Sequence, residues 1–292
     1  MRRIHFNHKE EIWNSSSHGG GIALGVVFGV IFLIWCFRSG DGWATAGVIL
    51  YLFGMLMSYL ASTIYHAVKA RSVWKERLRK WDHAAIYWHI AGSYSPITLI
   101  ALREQGYWGW SLFSFIWAAA IAGTIASFIK LKDHSNLETI CFCLMGLSVL
   151  IAFKPLLDSV STAAVIWIIA EGVCYITGAV FYSINKKRFM HTVFHFFVLA
   201  GSICHIIAVW DVLMEYLSSR QYFPAKDHHR VCMGSQPHKG LLLQPILLPS
   251  DTSPQEEQDE SPRSCSTQTA HSHMACASRR DRLQGLLRQK RL

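Results

Sequence analysis

Seven apolar stretches of bilayer-spanning length recur along the chain, near residues 20–37, 42–67, 83–102, 107–130, 136–156, 162–184 and 190–214. A hydrocarbon core about 30 Å thick takes roughly 20 apolar residues at about 1.5 Å each. Within it, every backbone N–H and C=O must be satisfied inside the segment. The pattern therefore predicts an all-α fold, a bundle of seven transmembrane helices. The third stretch is the least apolar. It opens at Asp82 and His83 and contains His89, so it is predicted to face the bundle interior.

Composition agrees. With 51% hydrophobic and only 16% charged residues, the chain has too few charges to cover a soluble surface. The net charge of +9 raises nucleic acid as a partner. That class is excluded, because the basic residues lie in short runs between apolar segments and no soluble basic domain exists to carry them. Cys36, Cys141, Cys143, Cys174 and Cys204 sit in apolar segments as small packing residues, and Cys232, Cys265 and Cys276 follow no recognisable spacing. A disulfide framework is not predicted.

The loops set the orientation. Arg2, Arg3 and Lys9 precede the first segment. Lys69, Arg71, Lys75, Arg77, Arg79 and Lys80 lie between the second and third. Lys130 and Lys132 follow the fourth, and Lys186, Lys187 and Arg188 precede the seventh. The opposite loops hold only Arg38, Arg103 and Lys154. Basic residues stay in the cytoplasm, so the N-terminus is predicted inside and the C-terminus outside. Residues 1–17 form a polar cytoplasmic segment without the early apolar core of a signal peptide. Residues 18–217 form the membrane domain. Residues 218–292, rich in Ser, Gln, Pro, His and charge, bury too little apolar surface to offset the entropy of ordering and are predicted to be disordered. Their histidines (His228, His229, His238, His271 and His273) are read as solvated. No repeat of 20–50 residues occurs.

Titratable groups inside spanning helices need a partner or a role. Ser62 and His66, four residues apart, share a face at the end of the second segment, and His191 and His195 share one at the start of the seventh. Asp82 opens the third. The predicted topology brings these ends to one depth near the cytoplasmic face. Three histidines with an open fourth position suit zinc, which lowers the pKa of a bound water. Asp82 is then an outer acceptor or general base, and Ser62 a hydrogen-bonding neighbour. The same spacing also fits packed, hydrogen-bonded histidines, and the residues alone leave both readings open. Glu11, Asn14 and His18 share a face only if the first helix begins early; helix capping and first-turn charge are the simpler reading of Asn14 and Glu11. Glu171 and His205 are predicted to be buried near mid-span, with a proton or ion path through them as the bolder alternative.

These elements together resemble the bacterial hemolysin III branch of the progestin and adipoQ receptor superfamily, over about residues 7–215. They are Glu11…Asn14…His18, Ser62-x-x-x-His66, Asp82 with Gly92-Ser93-Tyr94-Ser95-Pro96, and His191-x-x-x-His195 running on through Ser202 to His205. The resemblance implies a seven-helix bundle with its N-terminus inside. By analogy with the adiponectin-receptor members it implies zinc held by His66, His191 and His195, with Asp82 beside the zinc-bound water and Ser62 next to it. It also implies ceramidase-like amide hydrolysis or, in the bacterial branch, a haemolysis label and a role in membrane homeostasis. The tail after 217 departs from the family pattern, as an added segment or a frameshifted reading would.

Two readings follow. The first is a zinc-dependent hydrolase of a lipid amide in the bacterial inner (plasma) membrane, with membrane lipids as its surroundings. The second is a non-catalytic receptor-like or membrane-homeostasis protein, or a cytolysin, with a structural metal. The sequence leaves the oligomeric state open.

Overall fold

The fold follows from how each helix starts and stops. The computed structural model describes residues 6–130, 136–184 and 187–222, and these are helical with no strand among them. Helix α1 (His8–Ser39) starts about twelve residues ahead of the first apolar stretch, because Asn7 and Glu10 form a reciprocal capping box. It stops at Gly40, which takes the left-handed conformation at φ 66°. Asp41 caps α2 (Gly42–Ala67), its Oδ1 accepting from the Ala44 N–H at 2.8 Å.

Helix α3 (Lys75–Pro96) passes into a π-helical turn over Ile97–Ala101. Pro96 supplies no N–H and its ring displaces the carbonyl one turn back, so the ladder loosens there. The hydroxyls of Ser95 and Thr98 donate to the carbonyls of Ala91 and Tyr94, at 2.9 and 2.8 Å. Helix α4 (Trp108–Lys130) follows. The fifth span is broken: α5 (Asn136–Leu147), a 3-10 turn over Ser148–Ala152, and α6 (Phe153–Leu157), whose first turn contains Pro155. Helix α7 (Thr162–Ser183) is capped by Ser161, and α8 (Met190–Tyr222) closes the bundle. Helix α8 extends past residue 217; the predicted disordered tail lies, from residue 223, outside the described residues.

Six of these spans are long and apolar enough to cross a membrane. Their outer faces expose Val26, Val30, Ile34, Ile121, Ile125, Ile169, Val173 and similar side chains, as expected where the surroundings are lipid rather than water. Helix α3 carries more charge and packs between α2 and α4. It approaches α2 backbone to backbone at two glycines. A Cβ on Gly54 would lie 2.2 Å from the Trp88 carbonyl oxygen, and one on Gly92 would lie 2.9 Å from that of Leu50. Small residues at a helix crossing allow this approach. Side chains that interlock along α1, α2, α3 and α8, among them Phe32, Met55, Tyr59, Val209 and Leu213, form the core.

Candidate metal centre

One end of the bundle gathers polar groups from four helices. His66 lies in the last turn of α2, and His191 and His195 lie in the first two turns of α8. One ring nitrogen from each falls within 4.8 Å of the others. The Nε2 atoms of His191 and His66 are 3.3 Å apart, and those of His195 and His191 are 3.0 Å apart. His66 and His195 are 2% and 1% exposed, and His191 is half-buried.

The first turns of α1 fix how these rings face. Glu11 Oε2 lies 2.6 Å from His66 Nδ1. A carboxylate only accepts, so His66 donates through Nδ1–H and its Nε2 presents a lone pair. His195 Nδ1–H donates to the Asn14 carbonyl at 3.2 Å, which leaves its Nε2 as a lone pair too. Two lone pairs thus face a single His191 Nε2, which in the neutral form carries at most one proton. A cation shared by the three nitrogens resolves the conflict. A tetrahedral zinc with bonds of about 2.0–2.1 Å holds its nitrogens roughly 3.3 Å apart, close to the separations seen. The residues fit the metal.

Further contacts hold the cluster. The Asn14 side-chain oxygen accepts from Thr192 Oγ1 at 2.6 Å. The second carboxylate oxygen of Glu11 accepts from Lys75 Nζ at 2.9 Å, and that ammonium also donates to the carbonyls of Tyr65 and Val68. Glu10 Oε1 accepts from the Phe189 N–H at 2.7 Å, pinning α1 to the residue before α8, where Phe189 takes φ 63°. Phe6 lies 4.7 Å from the His191 ring, and the His18 ring stacks on His195 at 3.7 Å.

The capping part of the reading of Glu11 and Asn14 passes to other residues, while Glu11 does stand as an acidic residue in the first turn of α1. Asn7 and Glu10 do the capping, while Glu11 and Asn14 orient histidines of α2 and α8. The condition set by their spacing, an early start to α1, is what the capping box supplies.

Ser62 and Asp82 lie beside the cluster rather than within it. Both are buried and line a cavity of about 380 Å³ that also reaches His18, His191 and His195. The Ser62 hydroxyl has no hydrogen-bond partner, and neither Ser62 nor Asp82 belongs to the three-nitrogen group. Past Ile86, Ile90, Phe142 and Val198, the cavity continues to His89, Tyr175, Glu171 and His205.

Comparison with known proteins decides the family. The haemolysin-III related family matches residues 6–206. The chain belongs to that family. It is similar to hemolysin-3 of Bacillus cereus, 36% identical over 194 residues that cover 66% of this chain and 87% of that protein. It is also similar to a hemolysin-3 homolog of Bacillus subtilis (strain 168), 34% identical over 215 residues, 73% of this chain and all of the relative. A human protein, monocyte to macrophage differentiation factor, is 30% identical over 186 residues, 60% of this chain and 74% of its own length. These relatives support the wider progestin and adipoQ receptor superfamily. With six apolar spanning helices, membership makes this haemolysin-III relative a multi-pass integral membrane protein. The matched region holds His18, Ser62, His66, Asp82, His191 and His195.

Proposed function

We propose that this chain is a zinc-dependent hydrolase of a lipid amide, set in a bacterial plasma membrane with its N-terminus and metal centre toward the cytoplasm and its C-terminus outside. The observation that carries the metal is the pair of lone pairs on His66 and His195 aimed at one His191 nitrogen. The orientation is supported by Lys75, Arg77, Arg79, Lys80 and Arg188 near the histidine end, against Arg38, Arg103 and Lys154 near the other.

His66, His191 and His195 hold the zinc, with Glu11 and the Asn14 carbonyl fixing the rings of His66 and His195. When bound, zinc supplies Lewis-acid polarisation of a carbonyl and a water acidified toward neutrality. Three protein ligands rather than four leave room for that chemistry. Asp82 forms no hydrogen bond or ion pair with the described residues and faces the cavity. It is the group available to take a proton and pass it to a leaving amine. Ser62 donates its unspent hydroxyl to a substrate oxygen. The apolar cavity wall takes the hydrocarbon and excludes water, which strengthens the charged contacts at its end.

Elemental analysis of the purified chain, beside a His191→Ala/His195→Ala variant, tests the metal. About one zinc per chain in the parent and almost none in the variant is expected; a parent without zinc after zinc loading removes the mechanism. A zinc-loaded parent that cleaves no N-acyl sphingoid lipid in vesicles, at a rate above the Asp82→Asn variant, would leave the metal and remove the hydrolase.

A further inference from the structure

Glu171 and His205 form a second buried ionisable group, apart from the histidine cluster. Glu171 is near the middle of α7, and His205 lies ten residues beyond His195 on α8, about 15 Å along the helix. Glu171 Oε2 and His205 Nδ1 are 2.7 Å apart. Both residues are buried. An ionisable pair at this depth is expensive. Helices α7 and α8 already pack along their length without it.

The pair has hydrogen-bonding capacity left over. His205 Nε2 is buried with no partner, and so is the hydroxyl of Tyr51, whose ring meets the His205 ring edge-on at 5.0 Å. Between the pair and the histidine cluster lies a bridge of polar groups. Tyr59 donates to Ser202 Oγ at 2.7 Å, Ser202 Oγ lies 3.4 Å from His89 Nε2, and the Tyr175 hydroxyl is 3.3 Å from that nitrogen and 3.2 Å from Ser202. His191, His195, Ser202 and His205 fall on one face of α8, so one helix presents the whole series. The cavity touches both ends of it.

We propose that Glu171 and His205 form an intramembrane proton-binding site, reached through the cavity that also opens on the histidine cluster. One proton is shared between Oε2 and Nδ1. A hydronium entering the cavity gives that proton to the pair and leaves as water; the pair passes from a net charge of −1 to neutral. Release reverses the step. The groups that face the pair are Tyr51 from α2, His89 and Tyr94 from α3, Cys143 from α5 on the cavity wall, Cys174 and Tyr175 from α7, and Cys204 from α8. None supplies a second carboxylate or a fixed cation, so the proton is the charge that this site exchanges. The site is independent of the metal and of amide hydrolysis.

The test is nitrogen NMR of the ¹⁵N-histidine-labelled full chain in lipid nanodiscs, from about pH 5 to about pH 9, with the His205 signals assigned by their loss in His205→Gln. In the parent, the ring-nitrogen shifts of His205 are expected to follow pH. In Glu171→Gln their pH dependence changes, because the carboxylate that shares the proton is gone. Unchanged zinc content and helicity show that the variant is folded. His205 signals that stay fixed across the range in the parent overturn the proposal whatever the variant does, since they describe a purely structural tie. The same pH dependence in a folded Glu171→Gln overturns it as well.

Discussion

The two buried histidine groups of this protein solve the same problem in opposite ways. At the α2–α8 end, three imidazoles turn nitrogens toward one another while Glu11 and the Asn14 carbonyl occupy the outer nitrogens of two of them. That arrangement suits a shared cation, as proposed above. At mid-span, His205 Nδ1 meets a carboxylate oxygen of Glu171 directly, at 2.7 Å, with no second imidazole among the described residues bonded to its other nitrogen. Both groups pair an imidazole Nδ1 with a carboxylate; they differ at the other nitrogen, which meets further imidazoles at the cluster and no hydrogen-bond partner among the described residues at mid-span. The chemistry follows from what surrounds each ring, since the side chains are the same.

The largest effect expected from breaking the comparison is at the first group. His191→Ala/His195→Ala removes two of three ligands, and zinc measured by elemental analysis falls from about one per chain to near zero. Glu171→Gln in the same assay leaves it unchanged. Next is Asp82→Asn, which keeps the metal. Turnover of an N-acyl lipid falls by about 10² to 10⁴, the range for losing a general base. A metal loss in Asp82→Asn of the same size would instead make Asp82 a ligand. Smaller again is Glu11→Gln. The amide replaces the carboxylate that orients His66, so zinc affinity, measured by chelator competition, drops by about 10- to 100-fold. An unchanged affinity would mean that His66 is oriented by packing alone.

The sequence carried much of this, and the gaps have physical causes. Six of the seven expected spans were legible because a bilayer imposes length and hydropathy on each segment, whereas α3 is a helix too polar to meet that test. The break in the fifth span was not legible, since Ser148–Leu157 is as apolar as the helix before it and only Pro155 signals the change. The early start of α1 was hidden by Ser15, Ser16, Ser17, Gly19 and Gly20, poor helix formers that are held here by the capping box and by packing on α2 and α8. At the site, the i, i+4 spacing of His191 and His195 was enough to put both on one face. The roles of Glu11 and Asn14 depend on how α1 crosses the end of α2, which no local pattern encodes. The spacing of Glu11, Asn14 and His18 was the available signal, and its meaning required the helix to begin at His8.

The smallest expected effect is also the sharpest for the comparison. Zinc affinity in Glu171→Gln should stay within about twofold of the parent, because sites more than about 10 Å apart without shared partners act nearly independently. Among the described residues, the bridge of Tyr59, Ser202, His89 and Tyr175 is a hydrogen-bonded route along which the two groups could couple. It contacts the cluster through rings, with Tyr59 meeting His18 edge-on at 5.0 Å, rather than through a hydrogen bond to a metal-facing nitrogen. Ring packing transmits position weakly and charge hardly at all, so a neutral amide at residue 171 leaves the Nε2 atoms of His66, His191 and His195 where they are. A tenfold loss of zinc affinity in a folded Glu171→Gln would show that the bridge couples the groups. The metal centre and the mid-span pair would then be one extended network rather than two solutions side by side.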